Sequence, residues 1–272
     1  MLAQIWLGGQ GWQYKDWLGT FYPAGTAFKD MLPEYARVFR SVEVDSSYYG
    51  APLPKTVLGW RDRSPDDFRF ALKTPAEITH ERRFRDADAA FAEFVETVRL
   101  LGPKLGAVLI QCPPDFDPAP DHREALFRFV RTQLPEDVRF ALELRDARWY
   151  DDKLFALARE RGIALALAEG RHADLQLAGE IADEIVSHPS ADFAYLRWLG
   201  DRQLEKYARV QLDRTRSLDV WERLMRGLRG AVRDIYGYVN NHYQGHSPAT
   251  VREILARLGE PVPPESTAPR FL

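Results

Sequence analysis

The sequence predicts a single-domain α/β protein, a (β/α)8 TIM barrel. Three observations point to it: eight short apolar or β-branched runs, helical-period segments between most of them, and a length of 272 residues that suits one barrel. The runs lie at residues 5–7, 41–45, 68–73, 107–111, 139–145, 163–168, 193–198 and 234–240. Strands that alternate with helices imply a parallel sheet, since each parallel return needs a crossover of a dozen or more residues. An open doubly wound sheet is the competing architecture, but no glycine-rich phosphate fingerprint follows any run, and Gly8-Gly9-Gln10-Gly11 lacks its spacing.

Between the runs, Asp88 reads as the cap of a helix whose stripe is Phe91, Phe94, Val95 and Val98, ending near Gly102-Pro103. Residues 151–161 read likewise, with Leu154, Phe155 and Ala158 on one face and Gly162 as the stop. Further helices are expected at 121–132, 204–210, 218–228 and 248–258, with the weakest signal at 52–61. The barrel should occupy residues 1–259, and 260–272, with Pro261, Pro263, Pro264 and Pro269, should be an extended tail.

Composition narrows the function classes. Lys and Arg number 37 against 40 Asp and Glu, a net charge of -3, so the surface as a whole attracts neither nucleic acid nor membrane. One cysteine, Cys112, excludes an intramolecular disulfide and a cysteine-cluster metal site. Residues 1–6 do not read as a signal peptide, and no apolar run approaches the roughly 20 residues of a membrane span. The expectation is a soluble cytoplasmic protein with no membrane partner.

In a barrel the site lies at the carboxyl ends of the strands, and side chains alternate with period two. Val42 and Val44 then face the helices while Ser41, Glu43 and Asp45 face the interior, and Phe140, Leu142 and Leu144 oppose Ala141, Glu143 and Arg145 in the same phase. Lys73, Gln111, Arg197 and Asn240 also fall at strand ends, so polar groups converge from six strands. Charges gathered at one mouth are costly to desolvate unless paired or functional. Glu169 stays undecided, because its strand alternates Ala and Leu.

The motifs Gly11-Trp12-Gln13-Tyr14-Lys15-Asp16-Trp17, Phe21-Tyr22-Pro23, Val42-Glu43-Val44-Asp45-Ser46-Ser47-Tyr48-Tyr49, Phe70-Ala71-Leu72-Lys73, Ile78-Thr79-His80, Gln111-Cys112-Pro113-Pro114, Glu143-Leu144-Arg145 and Asn240-Asn241-His242 follow one another along nearly the whole chain. In this order they resemble the DUF72 (YecE-like) family. The resemblance implies a TIM barrel and supplies no reaction, since that family is defined as one of unknown function. At Asp45, Asp146, Glu169 and Trp198 this chain departs from the commoner pattern.

Read for chemistry, Glu43 and Glu143 are candidates for acid–base or electrostatic roles and His80 for proton transfer. Lys73, Arg145 and Arg197 would hold an anion, because a guanidinium grips phosphate or carboxylate bidentately. Gln111, Asn240 and Asn241 would add hydrogen bonds, and Trp12 and Tyr14, with Trp149, a stacking wall for a sugar or base. Paired carboxylates also suit glycoside hydrolysis, by Glu43 with Glu143 or Glu169. The expected function is an enzyme, a hydrolase or lyase, acting on a small anionic or hydroxyl-rich molecule such as a sugar, sugar phosphate or nucleotide. No cofactor is called for and no metal ligand is assigned, though Glu43, Asp45 and Glu143 could together take Mg or Mn. The competing class is a nucleic-acid protein. Residues 197–233 carry ten Lys and Arg (Arg197, Arg202, Lys206, Arg209, Arg214, Arg216, Arg223, Arg226, Arg229, Arg233) against five acids.

Overall fold

Every run that reads as a strand forms one. The computed structural model describes residues 2–170, 179–201 and 203–266. It contains β1 (Gln4–Gly9), β2 (Ser41–Val44), β3 (Arg69–Lys73), β4 (Leu105–Gln111) and β5 (Phe140–Glu143), then β6 (Ala164–Leu165) and β7 (Leu167–Gly170), both from the one run at 163–168, followed by β8 (Phe193–Gly200) and β9 (Asp234–Val239). All ladders are parallel, in the orders β2-β3-β4-β5-β6 and β1-β9-β8-β7. One meeting of the two sheets lies within the sixth run. There Ala166 separates β6 from β7, and its N–H donates to Leu142 O at 2.9 Å.

The other meeting is the seam between β1 and β2, where no continuous ladder runs. The backbones are joined at Gln10 and Glu43, with Gly11 N donating to Glu43 O at 2.8 Å. Below this bridge a side chain takes the ladder's place: the Tyr35 hydroxyl accepts from Gly9 N at 2.7 Å and donates to Ser41 O at 2.9 Å. The wedge fits because position 8 is glycine. A Cβ there would stand 1.8 Å from Ser41 O, inside any van der Waals contact.

The outer layer holds α1 (Met31–Ala36), α2 (Pro54–Asp62), α3 (Asp88–Arg99), α4 (Pro120–Gln133), α5 (Asp152–Arg161), α6 (Glu180–Ser187), α7 (Thr215–Ala231), α8 (Asn241–Gln244) and α9 (Ser247–Arg257). Asp151 caps α5, accepting from Leu154 N, and Gly162 stops it in the left-handed region, as expected. Asp88 does not cap α3. It is the helix's first residue, and its carboxylate holds the Arg128 guanidinium at 3.0 and 3.2 Å. The helix expected at 204–210 is absent, because tertiary bonds pin that segment as a loop: Tyr207 N donates to Asp16, and Gln211 N and Leu212 N to Gln244 O. The short helices α1, which carries Pro33 in its first turn, and α6 have too few turns to stand out in the sequence. After α9, residues 260–266 form neither helix nor strand; the rest of the expected tail and Arg202 lie outside the described residues.

The two faces of the strands separate cleanly. Val42, Val44, Phe140, Leu142 and Leu144 pack in the core shared with the helices, whereas Ala71, Leu109, Ala141, Tyr195 and Tyr238 form a second cluster inside the barrel. This is the phase that alternation predicts. No described helix is long and apolar enough to cross a membrane.

Candidate active site at the carboxyl end of the barrel

Above the interior cluster the inward positions become polar, and they enclose a cavity of about 370 Å³. Its lining includes Gln10, Asp45, Tyr48, Lys73, His80, Gln111, Arg145, Arg197 and Asn240. Seven of these were legible in the sequence as strand-end or loop candidates. Gln10, which directly follows β1, and Tyr48, in the turn after β2, were not; nothing in a lone glutamine or tyrosine distinguishes it until the fold closes around it.

The floor is a line of alternating charges drawn from three strands. Arg197 on β8 is 2% exposed and grips Glu43 on β2 with two nitrogens, Nε at 3.0 Å and Nη2 at 2.7 Å. Its remaining nitrogen, Nη1, donates to Glu143 on β5 at 2.8 Å, and Glu143 in turn contacts Arg145. The Tyr195 hydroxyl donates to Glu43 at 2.7 Å from below. Two carboxylates and two guanidiniums cancel in formal charge, which is the condition under which burial of such groups is tolerable.

This arrangement revises several expectations. Glu43 and Glu143, 0% and 1% exposed, do not line the cavity and spend their oxygens on Arg197, Arg145 and Tyr195. They are placed to hold the arginines, not to reach a substrate. Burial would raise the Glu143 carboxyl, but Arg145, Arg197 and Lys73 outweigh it and hold it at about 2, whereas at Glu43 burial prevails over the pull of Arg197 and the shift is upward. The glycosidase pairing therefore loses both members. Glu169 faces the helix layer and accepts from Ser217 at 2.6 Å, Trp221 at 2.7 Å and Tyr243 at 3.1 Å. The set offered to Mg or Mn is interrupted by the Arg197 guanidinium, and among the described residues no group of three or more His, Cys, Asp or Glu is arranged to hold a metal ion.

The aromatic wall does not form. Trp12 is buried against Trp60 and Phe70. Tyr14 packs on Trp17 and Tyr207 with its hydroxyl donating to Gln10 O at 2.5 Å, and Trp149 stacks on Phe116 and donates to its carbonyl at 2.7 Å. All three fasten loops onto the domain. Asn241 is likewise internal, its Oδ1 accepting from Ser247 N at 2.9 Å and Trp17 Nε1 at 3.3 Å. Asn240 does reach the cavity; it caps α8 through His242 N and donates to Gln10 Oε1 at 2.8 Å. The stripe at 197–233 loses Arg197 to the floor, and Arg214, Arg226, Arg229 and Arg233 are each paired with a carboxylate.

What faces the cavity is cationic. Lys73, Arg145 and Arg197 line it against one carboxylate, Asp45, which stands 3.8 Å from Lys73 Nζ. Burial, then the Arg197 charge, brings Lys73 down to about 8. His80 sits in a single π-helical turn, Glu77–Glu81, with Nδ1 2.8 Å from Thr79 Oγ1; burial and the Lys73 charge lower it to about 4, so it is neutral at physiological pH. Among the described residues, two buried donors of lining side chains, Gln10 Nε2 and Arg145 Nε, have no hydrogen-bond partner. Lys73 Nζ likewise meets no acceptor within hydrogen-bond distance among the described residues.

The comparisons agree with this architecture. A family model described as "Protein of unknown function DUF72" matches residues 6–270. The UPF0759 protein YecE of Escherichia coli (strain K12) is 32% identical over 146 residues, 54% of this chain and 50% of that protein, so the chain matches about half the length of that curated relative. Among solved structures, a DUF72 family protein from Thermotoga maritima MSB8 superposes with a TM-score of 0.76 at 22% identity, covering 94% of this chain and 99% of that one. A xylose isomerase domain containing protein from Salmonella typhimurium LT2 gives 0.50 at 16% identity, covering 88% and 94%. At these identities the structures bear on the fold, a TIM barrel, and not on the reaction.

Proposed function

The chain belongs to the DUF72 family, whose description names no reaction, and we propose that here the barrel mouth binds a small anionic molecule and acts on it as an enzyme. The observation that carries this reading is the lining of one cavity, where Lys73, Arg145 and Arg197 stand against the single carboxylate of Asp45 and Lys73 Nζ meets no hydrogen-bond acceptor among the described residues. An oxyanion there would supply the acceptor and the countercharge at once. Arg145 and Gln10 bind the anion, and Lys73 adds a charge whose loss falls close to neutral pH. A cavity of about 370 Å³ accommodates a metabolite-sized molecule such as a sugar phosphate or a carboxylic acid. The neutral His80 and the lowered Lys73 are the groups left to move protons, since the glutamates are committed to the floor.

Sulfate, which does not itself titrate near neutrality, tests the reading by calorimetry. Lys73 is charged below about 8, so affinity is expected to be level at lower pH and to fall as pH rises through that value. The bound anion favours the ammonium and moves the edge upward in the complex. Across this range Glu143 remains charged and His80 neutral. Lys73→Met should weaken sulfate about tenfold to a hundredfold, the worth of a charged hydrogen bond, and remove the edge. Affinity indifferent to both pH and Lys73 would exclude this site as the anion site.

A further inference from the structure

Two lysines in this chain are equally buried, each 7% exposed, and their surroundings differ. Lys104 is built into the fold: its Nζ donates to Arg61 O at 2.7 Å, Ser64 O at 2.6 Å and Ser64 Oγ at 3.4 Å. Lys73 stands at the carboxyl end of β3, lines the mouth cavity and meets no hydrogen-bond acceptor among the described residues. It lies 3.8 Å from the centre of the Tyr48 ring and 3.8 Å from Asp45. The desolvation of Lys73 is thus not repaid by fixed acceptors, as it is at Lys104. A largely buried amine that opens on a cationic cavity, without fixed acceptors and next to a carboxylate, is arranged as a nucleophile.

We propose that Lys73 forms a Schiff base with the carbonyl carbon of a small anionic aldehyde, ketone or 2-oxo acid bound in the mouth cavity. This rests on the anion site proposed above and narrows its ligand to one carrying a carbonyl beside the anionic group. Arg145 and Gln10 take the anion, which leaves the carbonyl to Lys73. The neutral Nζ places its lone pair on the carbonyl carbon, the C–O π pair moves to oxygen, and that oxygen takes a proton. The resulting carbinolamine loses a proton from nitrogen and its hydroxyl as water, so amine and carbonyl become imine and water with no oxidant or reductant. Asp45 and His80, both lining the cavity, are the groups on hand to carry those protons. With Lys73 lowered to about 8, a usable fraction of neutral amine exists at physiological pH.

The full chain is incubated with pyruvate and sodium cyanoborohydride, which reduces an imine to a stable secondary amine, and the modified residue is mapped by peptide mass spectrometry. The expected result is a carboxyethyl group on Lys73 ahead of the exposed Lys29, Lys55 and Lys153, suppressed by excess sulfate and absent when acetone replaces pyruvate. Lys73→Arg should lose the adduct while keeping the wild-type circular dichroism spectrum and cooperative thermal unfolding, which shows that the variant is folded. Sulfate binding without any Lys73 adduct would overturn the Schiff-base proposal and leave the anion site standing. Neither binding nor adduct would overturn both. Labelling of Lys73 that acetone matches and sulfate does not suppress would show a reactive amine without the anion selectivity, and would overturn the proposal as stated.

Discussion

Arg197→Met should cost about 3–5 kcal/mol of stability at neutral pH, the loss expected when a buried ion pair is deprived of one partner. In a chain of this size that corresponds to a fall in Tm of roughly 10 °C. Arg197 supplies three hydrogen bonds to Glu43 and Glu143, and without it two wholly buried carboxylates are left to Tyr195 and Arg145. The pH dependence identifies the cause. Glu43 is already raised by burial, and losing the Arg197 pull raises it further. A carboxyl whose folded pKa exceeds its unfolded one makes the folded state bind protons more tightly, so its penalty is full above the folded value and recedes as pH falls through it. The variant should therefore recover stability on moderate acidification. Adding Glu43→Gln to Arg197→Met should restore part of the loss at neutral pH, as one buried charge is removed. Chemical denaturation of the wild type and the two variants measures both effects. A loss under about 1 kcal/mol, unchanged by acid, would mean that the floor does not depend on its central cation.

Gly8→Ala should be damaging for a different reason. The added Cβ would stand 1.8 Å from Ser41 O and 2.7 Å from the Tyr35 hydroxyl, so the β1–β2 seam must open or the Tyr35 wedge must leave. Forced overpacking of this kind costs typically 1–3 kcal/mol and more where backbone must move, as it must here. Opening the seam also shifts Gln10 and Glu43, whose backbones meet just above it. The expected signature is a lower midpoint in urea together with weaker sulfate binding, although Gly8 is not among the residues that line the cavity. Wild-type stability would show that the two strands separate without cost.

How much of this was legible beforehand differs between the fold and the site. Hydrophobic alternation is a local property, and it placed Glu43, Lys73, Gln111, Glu143, Arg145, Arg197 and Asn240 inside the barrel from single-strand patterns alone, because a one-residue slip would have put valine and leucine there instead. The helices that failed, 204–210 and the Asp88 cap, failed where a distant partner outbid the local signal: Asp16 and Gln244 for the one, Arg128 for the other. The aromatic residues Trp12, Tyr14 and Trp149 gave no sign of which surface they would cover, since an indole packs as well beneath a loop as beside a ligand.

By itself, then, the sequence determined the order of strands and helices, the inward phase of each strand, and the gathering of charge at one end of the barrel. Which of those charges are available was decided only by the tertiary structure. Glu43, Glu143 and Arg197 stand 154 and 54 positions apart along the chain, and their mutual neutralisation depends on distances of about three ångströms across the barrel, set by strand register and closure. Availability is a property of pairs, fixed by burial and by who lies within hydrogen-bond reach. The same packing left Lys73, Arg145 and Gln10 lining the cavity, with no acceptor within hydrogen-bond distance of Lys73 Nζ among the described residues.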